Sequence, residues 1–318
     1  MKLFFKKFFL FLGCTSILSL ILFFSNLSDQ YKIAKTYRTS YEKVGWNLHQ
    51  VQTNAALLES AVIFFGDSRT QGNVNDSVLT SGGLKSVNFG VNHRGPDLEW
   101  YFTKRVHEVA TPCLCVFTNT IPHGGIHKMS PLVISPLEYL EAIDRNLGIS
   151  WLLNYSPYKI AFSIGHRAGN LFSGNSITNP DFQRFGQVPE SDFIRHHLNT
   201  PAQIEKSKEV PEVDYARKLW RNFLRQHYFF GTQNELLRRK SMDLCNQSII
   251  IPMPSFGTPP EGDIYGEYKI ELQSICNNSD LWFDNGHLNQ SGAKKFTSEI
   301  LLPILKDKFS CDSLEKQL

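Results

Sequence analysis

The sequence predicts an α/β protein: a central, mostly parallel β-sheet with helices on both faces, preceded by one N-terminal transmembrane helix. Short apolar runs bounded by turn residues recur along the chain, and such runs are typical of strands buried on both faces of a sheet. Helical patterns lie between some of the runs, and this alternation is typical of α/β folds. The runs occupy residues 61–65, 86–89, 113–118, 159–163 and 248–253.

The clearest helical segment between two predicted strands covers residues 97–109. Asp97 follows Pro96 directly, and an acidic residue after a proline is a helix-start signal. The segment therefore predicts a helix that connects the second and third strands.

The composition indicates a folded protein. The chain has 318 residues, of which 42% are hydrophobic, and its formal net charge is +3. This charge is too small to indicate a nucleic-acid partner. The sequence contains no P-loop, no dinucleotide-binding fingerprint and no zinc-type cysteine spacing, so it predicts neither a cofactor nor a metal.

The N-terminus predicts a membrane anchor over residues 1–27. Lys2, Lys6 and Lys7 precede an uncharged apolar stretch over residues 8–24. A helix of this kind is about 26–30 Å long, enough to span a bilayer core. A cleaved signal peptide and a lipoprotein anchored at Cys14 are the alternatives. The lysines favour a cytoplasmic N-terminus and an extracytoplasmic, single-pass topology for the body.

Three further segments follow the predicted anchor. Residues 28–58 are polar with a helical pattern and predict a stalk, and residues 59–310 predict the α/β domain. An insertion is predicted over about 165–245, because its first part is rich in Asn, Ser and Pro and poor in apolar runs. Its second part is helical. The basic residues there fit either a solvated helix face or contact with an anionic glycan or lipid headgroups: Lys218, Arg221 and Arg225.

The cysteines give no disulfide framework. Cys113 and Cys115 are two positions apart in a strand-like run, so we expect both side chains on the same side, as small buried hydrophobic residues. One disulfide among the other cysteines is possible, but the spacing does not assign it.

A serine follows the first predicted strand. The run 61–65 ends in Gly66-Asp67-Ser68, which predicts a tight turn at the carboxyl edge of the sheet, where open α/β folds bind ligands. Ser68 at the start of the next helix would provide a nucleophile and a backbone N–H for an oxyanion.

A histidine near the C-terminus can supply the base that a serine nucleophile needs. The chain reads Trp-Phe-Asp-Asn-Gly-His-Leu-Asn over residues 282–289. A histidine has a pKa suited to accepting the proton of a serine. A carboxylate three residues earlier can accept the other imidazole N–H and fix the tautomer. Asp284 and His287 have this spacing.

Together these two motifs resemble the SGNH/GDSL hydrolase superfamily. In that family a Gly-Asp-Ser block lies near the start of the domain and an Asp-x-x-His block near its end. The continuation of residues 287–293, His-Leu-Asn-x-x-Gly-Ala, is similar to the membrane-anchored, exported branch, which includes D-alanyl transfer and polymer O-acyltransferase proteins of the cell surface. The resemblance frames the chain from residue 61 to about 305, and it implies a three-layer, flavodoxin-like fold.

The resemblance also implies a site and an activity. Ser68 would be the nucleophile, His287 the base and Asp284 its orienting carboxylate. Gly90 and Asn119 would donate to the oxyanion, with Asn92 as a rival to Asn119. The implied activity is that of an acyl-ester hydrolase or O-acyltransferase on an extracytoplasmic glycan or polymer, with possible envelope partner proteins.

Several alternatives remain open. Arg69 could bind an anionic substrate or form a local salt bridge. His123 and His127 are four apart and suggest a metal pair, but the glycines between them disfavour a helix, so a loop pair is expected. A non-catalytic scaffold of an envelope assembly is the main alternative function, and a metal-dependent hydrolase is a third.

Overall fold

The structure is a computed structural model that describes residues 2–24, 42–91, 96–118, 130–135, 137–138, 141 and 230–309. It confirms an α/β protein with a parallel sheet. The described sheet has four strands in the order β2–β1–β3–β4. The strands are β1 (Val62–Phe65), β2 (Ser86–Asn88), β3 (Leu114–Phe117) and β4 (Ser248–Ile250). The predicted strand at residues 159–163 lies outside the described residues.

All neighbouring strands in this sheet run parallel. Val62 of β1 pairs with Ser86 of β2 and with Leu114 of β3, and Phe117 of β3 pairs with Ile250 of β4. The carboxyl ends of the strands therefore meet at one edge of the sheet. The segments that follow β1 and β2, and those that follow β3 and β4, begin at this edge.

Helices precede, separate and follow the strands. The predicted helix over residues 97–109 is confirmed as Pro96–His107, within two residues at its C-terminal end. The α-helices are α1 (Lys2–Phe24), α2 (Glu42–Thr53), α3 (Ala55–Leu58), α4 (Ser68–Asn73), α5 (Asp76–Ser81), α6 (Pro96–His107), α7 (Ser130–Val133), α8 (Phe230–Asp243), α9 (Lys269–Asn277), α10 (Gln290–Phe296) and α11 (Leu302–Lys308). Short 3₁₀ helices cover Asp263–Tyr268 and Ser279–Leu281, and a π-helical turn covers Thr297–Leu301.

Hydrophobic clusters cover both faces of the sheet. Successive side chains of a strand point to opposite faces, so the central strands β1 and β3 each contribute to both clusters. Ile63 and Phe65 of β1 join one cluster, to which α2, α6 and α8 contribute. Val62 and Phe64 join the other, together with α9, α10 and α11. Burial on both faces explains why β1 and β3 read as continuous apolar runs.

The second half of the predicted stalk is part of the packed domain. Val44, Trp46 and Leu48 of α2 are buried in the same cluster as Ile63 and Phe65. The side chain of Asn47 donates a 3.0 Å hydrogen bond to the carbonyl of Phe89, just after β2. The prediction of a stalk over residues 28–58 is therefore wrong for α2 and α3, while residues 28–41 lie outside the described part. The prediction failed because α2 mixes polar and apolar residues, and the sequence does not show that its apolar residues pack against the sheet.

The C-terminal part of the predicted insertion also belongs to the core. Leu237 of α8 is fully buried, and α8 packs against α6. Arg238 of α8 is buried as well, and its Nη2 donates to Oε2 of Glu99 on α6 at 3.0 Å. Residues 142–229, which include Lys218, Arg221 and Arg225, lie outside the described residues.

The cysteines of the third strand region form disulfides. Cys115 is bonded to Cys245, 130 positions later, and Cys113 is disulfide-bonded as well. The expectation that both are simply small buried hydrophobic residues is wrong, although both are buried. They also face different clusters, because Cys113 lies in the bend before β3 and does not follow the strand alternation.

One N-terminal helix is long and apolar enough to cross a membrane. The segment Phe4–Ile21 of α1 has this length and composition, and none of it is buried against the rest of the protein. A signal sequence near an N-terminus has the same properties.

Candidate active site

The segment after β1 places Ser68 at the start of α4. Asp67 is the residue before the helix, and its Oδ1 accepts the backbone N–H of Arg69 at 3.0 Å. Gly66 is needed for the close packing of this turn, because an added Cβ would lie 2.0 Å from Thr70 Oγ1 and 2.1 Å from Thr118 Oγ1. The strand, the glycine and the cap together fix the position of the serine at the carboxyl edge of the sheet.

The structure brings Ser68, His287 and Asp284 together. His287 Nε2 lies 2.9 Å from Ser68 Oγ, although the residues are 219 positions apart in the sequence. His287 Nδ1 lies 2.8 Å from each carboxylate oxygen of Asp284. The side chains of His287 and Asp284 are 22% and 29% exposed, so the group is open to a substrate. This arrangement can move a proton from the serine oxygen to the imidazole while the carboxylate stabilises the resulting charge.

The loop that carries His287 is held by its own carboxylate. Asp284 Oδ1 accepts the backbone N–H groups of Gly286 and His287, both at 2.8 Å. Partial burial raises the pKa of Asp284, but its hydrogen bonds with His287 and with these N–H groups outweigh that effect, so its pKa lies below the ordinary value. Ionised Asp284 therefore stabilises the folded protein above the ordinary carboxyl pKa, and this contribution is lost as the pH falls through the lowered value.

The residues after His287 anchor the loop to the domain. Asn289 caps α10 by accepting the N–H of Gly292 at 3.0 Å, and its amide donates to the carbonyl of Asp280. An added Cβ at Gly292 would lie 2.1 Å from the carbonyl oxygen of Leu281. The Leu-Asn-x-x-Gly sequence thus holds the histidine loop against α10 and residues 280–281.

Gly90 is buried beside α4, but its N–H is already engaged. It donates to Asn88 Oδ1 at 2.8 Å. An added Cβ at Gly90 would lie 2.5 Å from the backbone nitrogen of Gln71 and 2.8 Å from Thr70 Cβ. The structure therefore gives Gly90 a packing role against the nucleophile helix and does not present its N–H to the site. Asn119, its rival Asn92 and the pair His123 and His127 lie outside the described residues.

Arg69 lies at the mouth of the site, next to the nucleophile. Its Nε is 4.0 Å from Asp67 Oδ1, and its Nη1 is 3.5 Å from Ser255 Oγ. The aliphatic part of the side chain passes Gly286, where an added Cβ would lie 3.7 Å from Arg69 Cδ. Its side chain is 28% exposed. Both alternatives for Arg69, a local ion pair and contact with substrate, are compatible with this position.

A buried polar network that the sequence did not predict supports α4. Asn88 donates to the carbonyls of Thr70 and Val74, each at 2.9 Å, and its own N–H donates to Asp76 Oδ2 at 2.8 Å. Burial raises the pKa of Asp76 to about 7, against the opposing charge of Lys43. Burial lowers the pKa of Lys43 to about 7, against the charge of Asp76.

A buried ion pair joins Glu99 of α6 to Arg238 of α8. Glu99 and Arg238 are each 7% exposed, and the Arg238 guanidinium also lies over the ring of Phe117, 5.3 Å from its centroid. Burial raises the pKa of Glu99, Arg238 opposes this effect, and the charge of Asp67 adds to it.

Asn73 is a further residue near the site that the sequence analysis did not predict. It is the last residue of α4, is fully buried, and forms hydrogen bonds with the backbone of the histidine loop. Nothing in its local sequence distinguishes it from an ordinary helix-end asparagine, because its partners lie more than 200 positions away.

One group of potential metal ligands occurs in the described part of the chain. The ligand atoms of His107, Cys115 and Cys245 lie within 4.8 Å of one another. The two sulfur atoms are joined in a disulfide, so they are not available as thiolate ligands.

Comparisons of this chain with protein-family models, with curated proteins and with solved structures find no match.

Proposed function

We propose that this chain is a serine-nucleophile acyl-ester hydrolase or O-acyltransferase of the SGNH type. The observation that carries the proposal is the hydrogen-bonded series from Ser68 Oγ through His287 to Asp284, with distances of 2.9 and 2.8 Å. A nucleophile hydrogen-bonded to a base that is itself oriented by a third group is the arrangement that activates a serine.

The reaction follows from these three side chains. His287 Nε2 takes the proton as Ser68 Oγ attacks the carbonyl carbon of an ester. Asp284 holds the proton on Nδ1 and stabilises the imidazolium. The imidazolium then gives its proton to the departing alcohol, which leaves an acyl group on Ser68. Water or a sugar hydroxyl attacks this acyl-enzyme, with His287 again as the base, and the serine is regenerated.

The negative charge on the carbonyl oxygen needs hydrogen-bond donors. Ser68 is the first residue of α4, so its N–H has no partner within that helix and can serve as one donor. Gly90 could serve only after its N–H leaves Asn88, and Asn119 stays a candidate from the family resemblance. Loss of a single donor of this kind costs about 10²- to 10³-fold in rate.

The proposal includes the three-layer arrangement of the sheet and its helices. Hydrophobic clusters on both faces of a parallel sheet support a three-layer α/β/α arrangement of the SGNH type. The strand order β2–β1–β3–β4 fits the doubly wound pattern in which sites form at the carboxyl edge.

The setting we propose is the extracytoplasmic side of a membrane, with α1 as the anchor. The disulfide between Cys115 and Cys245 supports an oxidising compartment for the domain. Lys2, Lys6 and Lys7 on the N-terminal side of the apolar stretch support export of the body. In this setting a cell-surface glycan or polymer ester is the substrate class, and Arg69 would contact an anionic group on it.

The proposal is tested by ester hydrolysis in the detergent-solubilised full chain. We expect wild type to hydrolyse p-nitrophenyl acetate, and Ser68→Ala to lower kcat by at least about 10³-fold. Ser77→Ala, which changes a partly buried serine on α5, is the matched control and should retain wild-type activity. Faster release of p-nitrophenol when a sugar acceptor is added would indicate transfer. Turnover by Ser68→Ala equal to that of wild type would refute the proposed nucleophile.

A further inference from the structure

Both polar atoms of the Asn73 side chain bind the backbone on either side of His287. Asn73 Oδ1 accepts the N–H of Leu288 at 2.8 Å, and Asn73 Nδ2 donates to the carbonyl of Gly286 at 3.3 Å. The side chain is fully buried. One amide thus holds the residues immediately before and after the histidine.

The position of Asn73 on α4 links these two bonds to the nucleophile. Ser68 is the first residue of α4 and Asn73 is the last, so the same short helix carries both. The bonds from Asp284 to Gly286 and His287 fix the internal shape of the loop, but they do not fix where the loop lies against α4. The Ser68–His287 bond and the two bonds of Asn73 join α4 to residues 284–288.

The Asn73 amide is not used for local capping. An asparagine at a helix end ordinarily bonds to backbone groups within a few residues. Here the two partners are 213 and 215 positions away, and both the acceptor and the donor of the amide are committed to them. A buried amide is destabilising unless its polar atoms form hydrogen bonds. The bonds to Gly286 and Leu288 therefore fix the position of the histidine loop relative to Asn73.

We propose that Asn73 is a positioning residue that sets the distance between His287 and Ser68. The inference rests on the proposed function, because the distance matters only if the serine is activated by the histidine. Displacement of a catalytic group by about 1 Å can cost about 10²-fold in rate. The Asp284–His287 pair should survive the loss of Asn73, because its bonds are internal to the loop.

The test compares inactivation kinetics of the full chain with an alkyl fluorophosphonate. The maximal inactivation rate constant reports activation of the serine, and the half-saturating concentration reports binding of the probe. We expect Asn73→Ala to lower the rate constant by about 10- to 100-fold with the half-saturating concentration unchanged. Asn73→Asp keeps an acceptor for Leu288 N–H but sets a carboxylate oxygen against the Gly286 carbonyl, so its rate constant should also fall below that of wild type.

The matched control is Asn75→Ala, two positions away. It removes a part-buried cap bond, in which Asn75 Oδ1 accepts the N–H of Val78 at 3.2 Å, and it leaves the histidine loop untouched. We expect its inactivation rate constant to equal that of wild type even if its Tm falls. A purely structural role for Asn73 would lower the Tm of Asn73→Ala and leave its rate constant unchanged.

Each outcome decides the inference. Rate constants of both Asn73 variants below that of wild type, with Asn75→Ala equal to wild type, support it. Equal rate constants for wild type and the Asn73 variants overturn it and leave the proposed function intact. If Asn73→Ala does not fold, Asn73→Asp against wild type decides alone. Wild type that is folded but does not react overturns the proposed function and this inference with it.

Discussion

Gly292 is a position where a single methyl group would disturb the support of the candidate site. An added Cβ would lie 2.1 Å from the carbonyl oxygen of Leu281 and 3.0 Å from its carbon. That carbonyl also accepts the N–H of Asn289, so it cannot move away freely. We expect Gly292→Ala to destabilise the fold by about 1–3 kcal/mol, measured by denaturant unfolding.

The control for this substitution is Gly266→Ala. No atom lies within 4 Å of a Cβ added at Gly266, so the same change should leave the unfolding free energy nearly unaltered there. Equal stabilities of the two variants would contradict the packing role assigned to Gly292.

At the residue scale the sequence predicted the reactive side chains better than the residues that hold them in position. Ser68, Asp284 and His287 were predicted because their types and local spacing are tied to a reaction, and the structure brings them together. Asn73 and Gly90 have roles set by partners elsewhere in the fold. The engagement of Gly90 N–H with Asn88 could not be read from a strand-like run followed by a glycine.

The buried, oppositely charged side chains of Lys43 on α2 and Asp76 on α5 test whether α2 belongs to the domain. Lys43 and Asp76 are buried, at 1% and 0% exposure, and each carries the opposing charge that offsets the burial of the other. Removal of one partner leaves a buried charge uncompensated. We therefore expect Lys43→Met or Asp76→Asn alone to destabilise the fold by about 3–5 kcal/mol.

The double variant gives the sharper result for this pair. Lys43→Met combined with Asp76→Asn removes both charges and keeps an acceptor for Asn88 N–H, so we expect it to recover most of the loss. Denaturant unfolding of all four proteins measures the coupling. Strictly additive losses would show that the two side chains do not interact.

The disulfide that links β3 to the segment after α8 should contribute to stability. Cys115 and Cys245 enclose 130 positions of sequence, and closing a long loop restricts the unfolded chain. We expect Cys115→Ala with Cys245→Ala to lower the unfolding free energy by about 3–5 kcal/mol. Cys14→Ala, at an exposed free cysteine, is the control and should have no effect. A double variant as stable as wild type would rule out this contribution.

At the element scale the buried strands were predictable, but the disulfides and the face on which Cys113 lies were not. The central strands β1 and β3 are continuous apolar runs, because burial on both faces leaves little room for polar residues. The disulfides were not predictable, because pairing depends on the distance between Cys115 and Cys245 after folding. Cys113 was placed on the wrong face because β3 begins one residue after it.

For the whole molecule, α1 should determine where the protein resides. None of the Phe4–Ile21 segment is buried against the domain, so removal of residues 1–27 should leave the packed body intact. We expect the full chain to stay with membranes during alkaline extraction and the truncated chain to be released. Truncated protein that remains with the membrane would contradict the assignment of α1 as the anchor.

The intact mass of the full-length product separates the two alternatives for α1. Retention of residues 1–27 in the mature protein is expected for an anchor. A mass that lacks them would identify α1 as a cleaved signal sequence.

At the carboxyl edge of the sheet a serine from the start of the domain meets a histidine from its end. Reaction of the full-length protein with a fluorophosphonate, followed by peptide mass spectrometry, locates the residue that carries the adduct. We expect one adduct on Ser68, which is lost in His287→Ala while a folded state is retained. An adduct on another residue, or no adduct on folded wild type, would contradict the claim that His287 activates Ser68.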